Sequence, residues 1–399
     1  MQEVVLYGVG LDGEKFYCKY KNKFKFVFAV DQNSGRTFHG MPVYHFDEVK
    51  EEIKKYFIYV AVGLDTSWQA IRDLLKSNGL KEFRNFASKE FAEKKLAILY
   101  GNCHMNILGE YLQANPDFHR VYALRCYSLM RIESAEDDEL KACALFITQD
   151  IRENNELGMP PADGLIRMLE SNHCRCIKVP NLYGCNLLFP QLKRCEQEEL
   201  DRRHQRHINE EAIELKGMAD WGVAKIRDLS MNTLMWKDIC LEQLYSNGGD
   251  ISQIETLMNY GEPFSQEQIQ ENFLTEMQKL KEREKVCDIR ISDYIEENYR
   301  TKLLFYEPYH PVNEVIFEKG RRILALLKMT VFEECPIKDS LDGSEVFIYG
   351  CVRRALHLEF EQKYIRKSNL RGSYRFTLRD IPLTMKEYIE EYIAWNLGG

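Results

Sequence analysis

The chain has 399 residues, 45% of them hydrophobic and 29% charged, with a formal net charge of -8. That length exceeds what one compact core usually holds, so two domains are expected, and the composition excludes a disordered chain. The acidic balance gives no reason to expect nucleic acid or an anionic membrane as a partner, although 54 Lys and Arg leave material for a local basic pocket.

The 12 cysteines fall in apolar runs such as Cys143-Ala144-Leu145-Phe146-Ile147. Reduced, mostly buried thiols fit that pattern and point to the cytoplasm. Met1-Gln2-Glu3 leads straight into a strand-like run without a basic segment, so no signal peptide is expected. No apolar stretch approaches the length of a transmembrane span.

In chain order, Val4-Val5-Leu6-Tyr7 reads as a buried strand. Gly8, Gly10 and Gly13 follow in the spacing G-x-G-x-x-G, and Glu14 to Lys21 is compatible with a helix. Phe26 to Val30 is a second strand that ends in Asp31. This acid stands near the distance at which the dinucleotide fingerprint places a ribose ligand. Tyr56 to Val62 is a third strand, followed by an amphipathic helix around Trp68 to Asn78. The alternation predicts a parallel-sheet, Rossmann-like domain over residues 1–92. Two readings of its glycines stay open. Either Gly8, Gly10, Gly13 and Asp31 hold a nucleotide, with phosphate at the helix N-terminus, or the glycines serve the turn alone.

The charged segment Lys89 to Lys95 marks the expected boundary, and the second domain spans 95–399. Leu96 to Tyr100 is a new strand running into Gly101-Asn102-Cys103-His104 and a helix from Met105 to Ala114. A thiol on a sharp strand-to-helix turn suits nucleophilic chemistry, because helix amides behind it favour a thiolate or an oxyanion. Further strands are expected at Val121 to Tyr127, Ala142 to Thr148 and Cys176 to Val179. The last two end in Gln149-Asp150 and in Pro180-Asn181-Leu182-Tyr183. Ligands of open α/β sheets bind at the carboxyl ends of strands, so these residues can converge on one site. Beyond Gln191 helical patterns dominate, with charge-rich stretches at Gln197 to Lys216 and Gln266 to Asp288. His310-Pro311 precedes a helix from Val312 to Leu327, and a histidine there can supply the base that a cysteine site needs.

No metal is expected. His173, Cys174 and Cys176 lack a second ligand pair at a suitable spacing. His204 and His207 lie one helical turn apart in a solvated, charged segment.

Gly101-Asn102-Cys103, Thr148-Gln149-Asp150, Val179 to Tyr183, Phe189-Pro190, His310-Pro311 and the tail around Val346 to Leu358 occur in one order. In these landmarks, residues 95–399 resemble the WcbI-type acetyltransferases of bacterial polysaccharide biosynthesis. The resemblance implies an SGNH-hydrolase-like α/β fold with a large helical C-terminal part. It implies a site for coenzyme A or acetyl-CoA at Gly101, Cys103 and His104. It also implies acetyl transfer onto a sugar or polysaccharide precursor of a capsule or surface polymer. Two positions depart from the family pattern: His104 stands where glutamine is common, and Tyr309 where asparagine is common. Asp31 to Val43, with Gly40-Met41-Pro42-Val43, resembles the small N-terminal domain of bacterial sugar acyltransferases, which implies a nucleotide sugar there.

In this reading Cys103 attacks the thioester or lines the pocket of its sulfur, and His310 is the general base. The turn amide, with Asn102 and Gln149 or Asn181, holds the oxyanion. Asp150 orients a base, and His104 is a second candidate base. The rival readings are a non-catalytic protein binding coenzyme A or a nucleotide sugar, an SGNH-like esterase, and a nicotinamide enzyme built on Gly8, Gly10 and Gly13. A homo-oligomer and a peripheral place in a polysaccharide assembly complex are both compatible with the sequence.

Overall fold

The computed structural model describes residues 1–63, 65–128, 136–153, 160–182, 184–196, 198–199, 202, 236–334, 345–365 and 383–397. Tyr183, His204, His207 and nearly all of the charged stretch from Gln197 to Lys216 lie outside the described residues. The chain forms two compact units. The first comprises Met1–Tyr100, Asn115–Thr148 and Arg152–Ile177; the second comprises Gly101–Ala114, Gln149–Ile151 and Lys178–Gly399.

The first unit opens with β1 (Gln2–Tyr7), α1 (Leu11–Tyr20), β2 (Phe24–Val30), β3 (Arg36–Phe38), β4 (Met41–Tyr44), β5 (Phe57–Val60), α2 (Asp65–Ser77) and β6 (Phe86–Ser88). These strands form one sheet in the order β3-β4-β2-β1-β5-β6. All neighbours are parallel except the β3–β4 pair. The strands read as unbroken apolar runs because both faces of the sheet are covered. Val4, Leu6, Ala29 and Tyr59 pack with Phe16 and Tyr20 of α1 on one face. Val5, Val30, Ile58 and Val60 pack with Leu75 of α2 on the other.

The segment from Asp31 to Val43 contains the β3–β4 hairpin. Its turn is His39-Gly40, with φ of 49° and 83°. Positive φ at both central residues is the type I′ turn, whose twist matches that of paired strands. Three- and four-residue strands are too short to leave a periodic signal in the sequence.

A second sheet follows, from β7 (Lys95–Gly101), β8 (Tyr122–Ser128), β9 (Cys143–Gln149) and β10 (Arg175–Val179), in the order β10-β9-β7-β8. In chain order the helices among these strands are α3 (His104–Ala114), α4 (Pro116–Val121), α5 (Asp137–Ala142) and α6 (Ala162–Glu170), of which α3 belongs to the second unit. Within the first unit, Glu82 is 2% exposed and takes two cations, Arg72 at 2.7 Å and Arg125. Arg125 also reaches Glu139 at 3.0 Å. Buried carboxylates of this kind persist only when their charge is matched.

The second unit holds β11 (Leu192–Arg194), β12 (Trp236–Asp238), α7 (Ile239–Ser246), α8 (Ile251–Tyr260), α9 (Gln266–Glu284), α10 (Ser292–Asn298), β13 (Phe305–Glu307), β14 (His310–Pro311), α11 (Asn313–Leu326), α12 (Gly350–Ala355) and α13 (Met385–Tyr392). Capping boxes open α8 (Asp250 with Gln253) and α9 (Ser265 with Gln268), which fixes where each helix begins. Ile254, Met258, Phe273, Met277, Leu280 and Tyr349 belong to its core. One contact matters most for function. A Cβ on Gly320 of α11 would come within 2.3 Å of the Tyr111 ring of α3. Tyr111 also stacks on Phe317 at 5.1 Å. The bare glycine therefore lets α11 approach α3 closely, and with it the His310 segment approaches the turn at Cys103.

Among the described residues, no helix is long and apolar enough to cross a membrane.

Candidate active site

The site is built within the second unit, around the turn between β7 and α3. Gly101 has φ of 157°, and a Cβ there would fall 2.4 Å from Gln149 Oε1 and 2.7 Å from Met105 Cγ. Glycine is required because the chain passes against the Gln149 side chain. The backbone amide of Asn102 donates to Gln149 Oε1 at 2.7 Å. Asn102 Oδ1 in turn accepts from the His104 amide at 3.1 Å, and Asn102 Nδ2 faces Asn181 Oδ1 at 3.5 Å. Buried Asn102 and Gln149 and half-buried Asn181 thus form one polar floor. Met105 and Asn106 donate to the carbonyls of Asn102 and Cys103, which tightens the first turn of α3. The Cys103 amide lies among the first-turn donors that a helix leaves without internal partners.

Cys103 Sγ lies 3.9 Å from His310 Nε2, although 207 positions separate the two residues in the chain. On the far side of the ring, His310 Nδ1 is 2.6 Å from Glu307 Oε1. The other Glu307 oxygen accepts from the Tyr309 amide at 3.0 Å, which locks the short β13–β14 turn. The result is a row of thiol, imidazole and carboxylate. Burial disfavours charge on His310, but the Glu307 carboxylate and the hydrogen bond to Cys103 outweigh it and hold the imidazolium pKa up at about 10. His310 is therefore a cation at neutral pH, beside a partly exposed thiol.

His104 is 1% exposed, and its Nε2 donates to the Tyr309 carbonyl at 2.7 Å. The two positions that depart from the family pattern thus bond to each other. Burial, with the charges of Lys319 and His310, drives the His104 pKa well below its ordinary value, so this ring is neutral. A buried neutral ring bonded to backbone suits a brace better than a base. Lys319 of α11 is also buried. Its ammonium donates to the Pro180 carbonyl at 2.8 Å, and burial lowers its pKa to about 8.

Asp150, expected to orient a base, ion-pairs with Lys178 at 3.4 Å, and its amide donates to the Val179 carbonyl. The contact to His310 Nδ1 is made by Glu307, which the sequence analysis missed. Its signal was local: Glu307 and His310 stand three apart on either side of Pro308-Tyr309, a spacing that a tight turn folds together.

The glycine motif lies in the first unit. Gly8 has φ of 95°, and a Cβ on Gly13 would come 2.0 Å from the Gly8 carbonyl oxygen. Both glycines are needed for strand and helix to touch. Gly10 has nothing within 4 Å of where its Cβ would lie. Asp31 accepts from the amides of Val9 (2.9 Å) and Asn33 (3.0 Å), so each carboxylate oxygen already holds one backbone donor. Asp12 and Glu14 occupy the first turn of α1, where their charge opposes an incoming phosphate.

These features define an α/β protein with a Cys–His–Glu row at a strand-to-helix turn. A family model described as the polysaccharide biosynthesis enzyme WcbI matches residues 96–201 and 221–331, just over half of the chain. The protein belongs to the WcbI family. A solved structure of WcbI aligns with a TM-score of 0.53 and 17% identity over 77% of this chain and 91% of that one. That structure is described as a novel polysaccharide biosynthesis enzyme, in its native form without a disulfide bond between coenzyme A and a cysteine. At this identity the likeness speaks for the fold. No curated protein matches the chain.

Proposed function

We propose that this protein transfers an acetyl group from acetyl-CoA to a sugar hydroxyl or amine of a polysaccharide precursor, through Cys103. The observation that carries the reading is the 3.9 Å approach of Cys103 Sγ to an imidazole that Glu307 keeps charged. An imidazolium beside a thiol is the arrangement that activates a cysteine as a nucleophile. The relative's association of a cysteine with coenzyme A supports Cys103 as the residue that meets the thioester sulfur.

Cys103 thiolate attacks the acetyl carbonyl. A carbon–sulfur bond to Cys103 forms as the bond to the pantetheine sulfur breaks, and His310 gives its proton to that departing sulfur. Neutral His310 then takes the proton of the acceptor hydroxyl or amine as it attacks the acetyl-Cys103 carbonyl, and Cys103 leaves as thiolate. The Cys103 amide at the head of α3 is the best-placed oxyanion donor, because the Asn102 amide is already given to Gln149. Asn102, Gln149 and Asn181 position the turn. The approach of β7 to α3 supports an SGNH-like reading of residues 95–399.

The parallel strands of the front sheet, counted in chain order, lie 3-2-1-4-5. This order supports a Rossmann-like domain over residues 1–92. The bonds of Asp31 and the acids of α1 favour glycines that serve close packing over glycines that cradle a phosphate. A nucleotide sugar at this domain accordingly has no residue set to support it beyond Gly8, Gly10, Gly13 and Asp31.

The test is mass spectrometry of the protein after mixing with acetyl-CoA. The expected result is a single acetyl group on the Cys103 peptide, discharged by a sugar acceptor. Cys103→Ala should lose the adduct and at least ~10²–10⁴ of the transfer rate. Discharge by water alone would mark an esterase. An unlabelled Cys103 with undiminished transfer in Cys103→Ala would overturn the covalent route.

A further inference from the structure

On the front unit, outside the Cys103 site, three side chains of different chemistry meet. Glu14 and Cys18 stand one helical turn apart on α1 and so share a face. His39 reaches them from the β3–β4 turn. Its Nε2 lies 2.7 and 2.9 Å from the two Glu14 oxygens, and Cys18 Sγ lies 3.4 Å from Glu14 Oε1. The three donor atoms all fall within 4.8 Å of one another.

The imidazole is held in place. It stacks on Tyr17 at 4.4 Å with the rings 14° apart, and it meets the edge of Phe38 at 4.7 Å. His39 also occupies a left-handed turn position (φ 49°) where Asn is the usual residue. A simple ion pair between exposed His39 and Glu14 explains little of this, since such pairs contribute little to stability.

We propose that Glu14, Cys18 and His39 form a binding site for a zinc-class divalent cation. Sulfur, nitrogen and carboxylate oxygen make the set of a borderline-soft ion, not of magnesium or calcium. Tetrahedral zinc with bonds of about 2.0–2.3 Å needs its ligand atoms roughly 3.3–3.6 Å apart. The Cys18 Sγ–Glu14 Oε1 distance of 3.4 Å already falls in that range. Three protein ligands leave the fourth position to water. Zinc takes the thiolate, so binding releases the Cys18 proton to solvent. Sequence spacing hides the site because His39 returns to α1 only through the hairpin.

The test uses the whole chain and Zn²⁺ alone. Cys18 alkylation by iodoacetamide is followed by peptide mass spectrometry with and without Zn²⁺. At ten times the dissociation constant, bound Zn²⁺ should slow alkylation about tenfold. His39→Asn keeps a residue suited to the turn, and Glu14→Gln leaves the turn untouched. Both should remove most of the protection while melting as the wild type does. Tetrahedral Co²⁺ should show sulfur charge-transfer absorption that is lost in Cys18→Ser. If Zn²⁺ leaves wild-type Cys18 unprotected, or protects it equally in His39→Asn, the site does not exist.

Discussion

Glu307 decides what His310 can do. Without its carboxylate, the burial of His310 would be opposed by Cys103 alone. Glu307→Gln should therefore lower the His310 pKa from about 10 toward its ordinary value. Cys103 would lose the cation beside its sulfur. The expected loss in transfer is ~10²-fold or more, with the alkaline limit of the pH–rate profile moving down by several units. NMR titration of the His310 ring in both proteins checks the cause separately from the rate. An unmoved ring pKa would count against the Glu307–His310 contact.

At the scale of elements, the site depends on how closely α3 and α11 pack. Gly320→Ala places a methyl 2.3 Å from the Tyr111 ring, so the helices must part. Overpacking of this sort costs about 1–3 kcal/mol, and it carries His310 away from Cys103. We expect a lower melting temperature together with a loss of transfer, whereas Gly164→Ala, whose methyl meets only Pro161 at 3.9 Å, should leave transfer unchanged. Much of this arrangement was legible in the sequence. The run Leu96 to Tyr100 before Gly101-Asn102-Cys103 announced a strand and a turn, and the polar strand ends at Gln149 and Asn181 announced the floor. Glu307 was not legible as the partner of His310, because Asp150 offered an equally plausible carboxylate at a strand end. Only the three-dimensional pairing of Asp150 with Lys178 separates the two. The β3–β4 hairpin was invisible for another reason: its strands carry three and four residues, and His39 is an uncommon choice for its turn.

For the molecule as a whole, the charged row also bears on stability. The folded pKa of His310, about 10, lies above the unfolded value of 6.5. The imidazolium therefore contributes stability that is fully present below about pH 6.5 and is lost as pH rises toward 10. Relative to His310→Gln, the wild type should lose on the order of a few kcal/mol across that window. Denaturant titrations at pH 6 and pH 10 measure the difference. A gap that grows with pH would mean that the histidine is neutral in the fold.

The two units are interleaved along the chain. α3 enters between segments of the first unit, while α11, which covers it, begins at Asn313. During synthesis the apolar side of α3, with Met105, Ile107, Leu108, Tyr111 and Leu112, leaves the ribosome some two hundred residues before its cover. The nascent chain must shelter that surface, by transient collapse or by a chaperone, for the whole interval. The reactive thiol gains its histidine only 207 residues later, so a product truncated before His310 has no working nucleophile.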